Sequence, residues 1–338
     1  MKKIKKQELQ NALAIVKPGL SNKDIIEQAT SFAFMGDRVV TYNDEISISH
    51  PISIKLNGAV KADELYNLLG KLKKDEIEME FTDKEIILSS GRSKAWLTLT
   101  EEIKLPLKDL GKVDEWHPLP DDFSKHVKAA ISSASNDFSI PILTCIHIAE
   151  DGVIEGSDSF RLYRGKCSEE IGETILLPNS SAQEMVKLEP TEYSSSGEWA
   201  HFRNGDGTII SCRTFKDDKF PVTDKILKMG KRIELVLPKL ILESIEKAQV
   251  FAKRDHWVDE SVIINIEESK IFVEAQNDAG KFQDNLNMRY KGDPIGFMIS
   301  PNLLKSILKE TNIAELDDVA NKIKFKGVNW EYVAMLKI

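Results

Sequence analysis

Three copies of one apolar pattern follow one another in this chain, and this repeat constrains the fold more than any other feature of the sequence. Each copy opens with the one-sided apolar spacing of an amphipathic helix. A repeated pattern requires a repeated supersecondary unit, so we expect the chain to build one unit three times. The copies begin 114 and then 118 residues apart, and their apolar positions are Leu9, Leu13, Val16 and Leu20, then Phe123, Val127, Ala130 and Ala134, then Ile241, Ile245, Ala248 and Ala252.

Later features recur in the same order in each copy. A β-like run that ends in a polar turn with an aspartate follows each helix, at residues 37–44, 152–158 and 271–278. Alternating β-type segments close the copies, at residues 76–81, 208–212 and 332–335. Between them lies a second short helix, with apolar positions at Leu65, Leu68 and Leu69, at Ala182, Met185 and Val186, and at Leu304, Ile307 and Leu308.

Two of these second helices carry start signals. Ser300 before Pro301 predicts an N-cap, and Ser180 with Gln183 has the spacing of a capping box. Pro-rich or polar segments separate the copies at residues 116–120 and 220–230. The sequence therefore predicts an α+β chain of three tandem domains, at residues 1–116, 117–226 and 227–338, each of a normal single-domain size.

The chain is acidic overall, with a formal net charge of −8. An acidic surface repels nucleic acid on average, so DNA binding would need a local concentration of Lys and Arg. Lysines recur on or beside the predicted helices, whereas many carboxylates lie in strands and loops. Each lysine by itself is typical of a solvated helix surface, but together they indicate helices that share one positive face. Such a layout could hold DNA through phosphate contacts alone, without sequence-specific readout. These basic residues are Lys17, Lys71, Lys73 and Lys74 in the first copy, Lys125, Lys128 and Lys187 in the second, and Lys247, Lys253, Arg254, Lys305 and Lys309 in the third.

The sequence contains no complete catalytic, cofactor or metal motif. The six histidines lack paired-ligand spacing, and Gly280 with Lys281 lacks the rest of a phosphate loop. Three scattered cysteines predict reduced, buried thiols, with no disulfide framework and no zinc site. The basic start is not followed by the apolar part of a signal peptide, and no stretch is long enough to span a membrane. We expect a cytoplasmic protein that is not an enzyme and that needs no cofactor.

Local motifs in the second and third copies resemble one family, the beta subunit of bacterial DNA polymerase III, which is the beta-type sliding clamp. The family motif Thr-Asp-Gly-His-Arg-Leu corresponds here to residues 157–162, Ser-Asp-Ser-Phe-Arg-Leu. Its Phe-Pro marker corresponds to 220–221, its Gly-Phe to 296–297, and its Tyr-Val-Val-Met strand to 332–335. Ser159 and Phe160 replace the usual Gly-His, Lys225 replaces an Arg, and Leu336 replaces a Pro. These departures point to a divergent member, with a phage or mobile element as one possible source.

The resemblance implies a DNA sliding clamp, a processivity factor that encircles duplex DNA and takes part in DNA replication. Clamps of this type are head-to-tail homodimers whose six domains form a ring, with helices lining the inside and antiparallel sheets outside. A contact between unlike surfaces closes a ring when its rotation is right. The resemblance implies that the lining includes Lys23, in a loop that contacts DNA in the family. The other lining residues that it implies are Lys17, Lys71, Lys125, Lys128, Lys247 and Lys305.

The resemblance further implies a partner site between the second and third domains. There, DNA polymerase, the clamp loader and other replication or repair proteins would insert a short apolar motif. By motif position the site comprises Leu143, Ser157, Ser159, Arg161, Leu162, Pro221, Lys225, Ile226, Leu303, Val333 and Met335. Two alternatives stay open at this point: an enzyme of several β-rich domains with dispersed catalytic residues, and a repeat-domain interaction scaffold without a role on DNA.

Overall fold

The computed structural model describes residues 2–23, 25–113, 115–216, 218–230, 232–253, 260–317 and 319–336. Within these ranges lie seven α-helices and 22 β-strands, and the strand pairs are antiparallel. The predicted α+β class is therefore confirmed. His256 and residues 337–338 lie outside the described residues.

The first repeat contains two helices, and each buries most of its predicted apolar stripe. Leu9, Leu13 and Val16 are buried in α1, whereas Leu20 lies beyond the end of that helix. The helices are α1 (Lys6–Val16) and α2 (Ala62–Lys71). The strands are β1 (Lys2–Lys5), β2 (Ser31–Tyr42), β3 (Ile46–Lys61), β4 (Glu76–Phe81), β5 (Glu85–Ser90) and β6 (Ser93–Thr98).

The second repeat also alternates strands with two helices, but four strands lie between its helices where the first repeat has two long ones. Its helices are α3 (Phe123–Ile131) and α4 (Asn179–Lys187). Its strands are β7 (His117–Pro118), β8 (Cys145–Ile148), β9 (Val153–Ser157), β10 (Arg161–Lys166), β11 (Ile175–Pro178), β12 (Glu192–Ser196), β13 (Trp199–Arg203) and β14 (Ile209–Arg213). The predicted capping box is wrong, because α4 already includes Asn179 and Ser180 therefore lies inside its first turn.

The third repeat follows a four-residue helix, α5 (Asp224–Leu227). Ser300 occupies the predicted N-cap position ahead of Pro301, but its side chain makes no capping hydrogen bond. The longer helices are α6 (Ile241–Ala252) and α7 (Pro301–Glu310). The strands are β15 (Ile233–Val236), β16 (Val262–Glu267), β17 (Lys270–Asn277), β18 (Gly280–Asn287), β19 (Ile295–Ile299), β20 (Ile313–Asp317), β21 (Lys322–Lys326) and β22 (Trp330–Met335).

The repeat extends from the sequence to the strand pairing. The first strand of each copy pairs with the strand that follows the second helix: β1 with β4, β7 with β12, and β15 with β20. The order β11-β8-β9-β10 in the second copy matches β19-β16-β17-β18 in the third. Similar apolar patterns therefore build similar half-sheets in the second and third copies.

Strands also pair between consecutive copies. β14 pairs with β3 to give a six-stranded sheet, and β22 pairs with β10 to give an eight-stranded sheet. Two four-stranded sheets remain, which end in β6 and β18. Each joint continues a sheet across the predicted limit between two domains.

The chain forms two compact units. One comprises Met1–Leu119 with Glu184–Thr214, and the other comprises Pro120–Gln183 with Phe215–Ile338. The second copy is divided between them, since its later strands pair with β3 and its earlier strands pair with β22. The three-domain boundaries taken from the sequence stay a prediction.

Candidate functional site

The floor of the site is the joint between β10 and β22. Leu162 lies opposite Val333 in this antiparallel pair. These two side chains are 0% and 1% exposed, and Leu227 joins them in one buried apolar cluster. Burial of each such side chain contributes roughly 1.5–3 kcal/mol relative to exposure. The cluster therefore fixes the end of α5 against the joint.

Apolar side chains around this floor are partly exposed. Ile226 and Met335 each expose 39% of their surface, and Phe160 exposes 70%. The backbone N–H of Met335 donates to the carbonyl of Phe160 at 2.8 Å, so the end of β22 lies beside the turn before β10. Exposed apolar groups next to an apolar floor are typical of a surface that binds an apolar ligand, and methionine adapts to several ligands.

One carboxylate organises the turn before β10. Asp158 Oδ1 accepts the backbone N–H groups of Phe160 at 3.0 Å and Arg161 at 2.7 Å. The Arg161 side chain returns to the same residue, with Nε 2.8 Å from Asp158 Oδ2. Ser159 has a φ of 75°, in the left-handed region that favours glycine. The serine therefore adopts a backbone conformation that costs free energy for a residue with a side chain, at the position where the family motif has glycine.

Four other residues of the predicted site are not members of the buried apolar cluster. Leu143 is 8% exposed and lies in the 3-10 turn Pro141–Thr144, which packs against β8 and β9. Leu303 is 5% exposed within α7, while Pro221 and Lys225 are exposed before and in α5. The turn, the two paired strands and α5 bring together Ser157, Ser159, Arg161, Leu162, Ile226, Val333 and Met335.

The sequence did not single out Leu227 or Phe160. Leu227 directly follows Ile226, but only the position of α5 shows that it joins the floor while Ile226 faces outward. Phe160 stands where the family motif has His, and its 70% exposure is visible only in the structure. An aromatic residue at the tip of a polar turn is the signal that could have indicated a binding position.

Six of the seven lysines predicted to face DNA are exposed. Lys305 is the exception: it is half-buried, and its Nζ donates to Gln249 Oε1 at 2.6 Å. Lys125 Nζ lies 2.6 Å from Glu310 Oε1. The exposed members are Lys17, Lys23, Lys71, Lys125, Lys128 and Lys247.

Glu310 is charged near neutral pH. Burial alone would raise the pKa of this carboxyl, but hydrogen bonds from Lys125 and Trp330 outweigh burial and lower it. The positive charge of Lys125 is therefore partly cancelled, whereas Lys128 makes no ion pair among the described side chains. The lysines of the predicted face are thus not electrostatically equivalent.

The remaining chemistry of the described residues is sparse. No group of three or more His, Cys, Asp or Glu side chains within the described ranges is placed to hold a metal ion. The three cysteines are buried and free, and burial raises the pKa of Cys145 and Cys167 to about 12. No helix in the described part of the chain is long and apolar enough to cross a membrane.

Repeated α+β units joined by strand pairing between consecutive copies define this chain as a tandem-repeat protein with open antiparallel sheets. The chain has the fold of the bacterial beta-type DNA sliding clamps. A clamp from Bacillus subtilis matches 99% of this chain and 98% of its own, with a TM-score of 0.76 and 17% identity. The beta subunit from Streptococcus pyogenes matches 99% of both chains, with a TM-score of 0.74 and 19% identity.

A third match is a sliding clamp from Pseudomonas aeruginosa bound to griselimycin. It covers 99% of this chain and 98% of its own, with a TM-score of 0.76 and 13% identity. No protein-family model matches the chain, and no curated protein matches it. The likeness therefore lies in the fold, as the resemblance in short motifs predicted, and not in overall sequence.

Proposed function

We propose that this protein is a DNA sliding clamp, a non-catalytic processivity factor that encircles duplex DNA without sequence specificity. The observation that carries the proposal is the full-length match to clamp folds over 99% of the chain. The lysines on exposed helix faces and the partly exposed apolar site support it. In this role the protein acts in the cytoplasm, and residues 1–116, 117–226 and 227–338 are its three clamp domains.

The strand pairing supports a head-to-tail homodimer. The last strands of the second and third copies, β14 and β22, each pair with a strand of the preceding copy. By the same rule β6, the last strand of the first copy, needs a partner from another chain. Sheet order makes β18 the counterpart of β10, and both β6 and β18 are terminal strands of their sheets. Pairing of β6 with β18 of a second chain would extend both sheets and protect two exposed edges.

A proline in β6 tests this dimer. Leu99 N–H donates to the Lys84 carbonyl at 2.7 Å, so by alternation the N–H of Trp96 points away from β5. Trp96→Pro removes that outward donor and should shift sedimentation from twice the 38.1 kDa chain mass toward a single chain. Trp96→Ala keeps the backbone donor and removes the indole, so it shows how much of any effect comes from the side chain alone. A Trp96→Pro protein that remains fully dimeric would place the interface elsewhere.

Encirclement of DNA predicts a topological readout. Once loaded, the protein should stay on nicked circular DNA and leave after the circle is linearised. The lining would include Lys17, Lys23, Lys71, Lys125, Lys128, Lys247 and Lys305. Equal retention on circular and linear DNA would exclude a sliding ring and favour simple electrostatic binding.

The apolar site is proposed to tether DNA polymerase, the clamp loader and other replication or repair proteins through a short apolar motif. Leu162, Val333 and Leu227 supply the floor, while Ile226 and Met335 are partly exposed at its edge. The polar turn supplies Ser157, Ser159 and Arg161, and Leu143, Pro221, Lys225 and Leu303 complete the proposed site. Binding of a fluorescein-labelled peptide with a leucine and a phenylalanine in an otherwise polar sequence tests this, with a peptide carrying alanine at both positions as control.

A further inference from the structure

The segment that carries Lys225, Ile226 and Leu227 has little intrinsic reason to be ordered. Helix α5 has four residues, and its N-cap residue Thr223 makes no capping hydrogen bond to the helix. Isolated helices of this length are unstable, because nucleation fixes several residues for one hydrogen bond. Contacts from elsewhere in the same unit must therefore set the position of α5.

One set of contacts holds the start of α5. Arg164 Nη1 lies 2.7 Å from Asp224 Oδ1, and its Nη2 donates to Thr223 Oγ1 at 2.5 Å. The Thr223 hydroxyl donates to the carboxylate of Glu155, which also accepts Arg164 Nε at 2.6 Å and pairs with His147 at 3.0 Å. The Glu155 side chain is only 4% exposed. The strands β9 and β10 thereby fix the first residues of α5.

A second set of contacts holds the end of α5. Lys322 Nζ donates to the carbonyl of Ile226 at 3.0 Å and also to that of Lys228. Lys324 Nζ donates to the carbonyl of Leu227 at 2.8 Å and pairs with Glu331 at 2.6 Å. Three consecutive carbonyls at the helix C-terminus, which have no partner within the helix, are therefore satisfied by two ammonium groups of β21.

Both of these lysines are buried, at 7% and 4% exposure for Lys322 and Lys324. Burying an ammonium group is costly unless it is paired or hydrogen-bonded. Apolar residues at these two positions would avoid that cost and still fill the space. The ammonium groups supply hydrogen bonds to the carbonyls at the end of α5, and apolar side chains could not supply them.

We infer that Lys322 and Lys324, opposite the Glu155–Arg164 pair, are positioning residues that hold α5 in its binding-competent place. This inference rests on the proposed tethering function, and it assigns these lysines no contact with the partner peptide. Without them α5 would occupy several positions, and the apparent affinity for the peptide would fall with the fraction of competent molecules.

The experiment compares Lys322→Met and Lys324→Met with Lys322→Arg and Lys324→Arg. Methionine keeps much of the chain length and removes the donors, whereas arginine keeps charged donors. Lys326→Met is the matched control, because Lys326 lies on the same strand but pairs with Glu315 at 3.0 Å. Affinity for the fluorescein-labelled Leu/Phe peptide is measured beside sedimentation and retention on circular DNA.

We expect each methionine variant to bind the peptide roughly tenfold more weakly, with arginine restoring most of the affinity. The Lys326→Met control should bind the peptide as tightly as wild type. All variants should sediment as dimers and be retained on circular DNA like wild type. If wild type binds the peptide and the methionine variants bind it equally well, the positioning role is refuted while the tethering function stands. An equal loss in the methionine and arginine variants would show that packing alone is responsible. A wild-type protein that does not bind the peptide would overturn both the tethering function and the positioning role.

Discussion

Replacing Lys128 by Ala should reduce the salt dependence of DNA binding more than replacing Lys125 by Ala. Both lysines are exposed on α3, three residues apart. Lys125 already neutralises Glu310 at 2.6 Å, whereas Lys128 forms no ion pair among the described side chains. A lysine without a carboxylate partner can neutralise a phosphate and release a counterion, and a paired lysine does so less.

The magnitude follows from counterion release. Each phosphate contact contributes about 0.9 to the slope of log K against log salt concentration. Two chains per ring would therefore lose about 1.8 from the slope in Lys128→Ala. Over a roughly fourfold change in salt, the ratio of wild-type to variant affinity should change by about twelvefold. For Lys125→Ala we expect less than half of this change in slope.

Glu310→Gln provides the reciprocal variant. It removes the negative charge that pairs with Lys125 and keeps an oxygen that can accept Trp330 Nε1, now 2.5 Å from the carboxylate. Lys125 would then be free to neutralise phosphate, so the salt slope should become steeper than that of wild type.

Fluorescence anisotropy of a labelled duplex, titrated at several salt concentrations, measures all three slopes. Sedimentation of each variant confirms that the dimer is intact. A slope for Lys128→Ala equal to that of wild type would remove Lys128 from the DNA surface. A larger effect in Lys125→Ala than in Lys128→Ala would show that the ion pair with Glu310 does not persist in solution.

Three further outcomes are expected. Ser159→Gly should raise the free energy of unfolding by about 1 kcal/mol in urea melts, because φ is 75° at this position. An unchanged or lower free energy of unfolding would show that the serine backbone is not strained. Met335→Ala should abolish binding of the labelled peptide while sedimentation still gives a dimer, and unchanged affinity would place the site elsewhere. Burial alone would raise the pKa of the Glu155 carboxyl, but hydrogen bonds from His147, Thr223 and Arg164 outweigh burial and lower it below 4.5. The ionised carboxylate therefore stabilises the folded protein above pH 4.5, and this contribution is lost as pH falls through the folded-state pKa. Glu155→Gln should therefore cost stability in urea melts near neutral pH and little in acid, and equal costs at both would refute this.

The sequence by itself determined the elements and their repetition. Apolar spacing at period 3.6 is a local property of a helix, and it located the six longer helices within a few residues of their ends. Alternation located strands such as Glu76–Phe81, whose bounds match the predicted segment. The recurrence of these patterns was enough to predict three copies of one unit, because each copy repeats the same local signals.

Tertiary structure alone decided how the copies join and which charges are free. β14 pairs with β3, and β10 with β22, between segments far apart in the sequence, so each compact unit contains parts of two copies. Lys322 and Lys324 alternate with Ile323 and Phe325 in β21, yet they are buried and donate to carbonyls of α5. Lys125 meets a carboxylate 185 positions later. Local periodicity indicates which face of an element is apolar. Burial and ion pairing depend on which distant segment packs against that face, and a short-range pattern does not specify that segment.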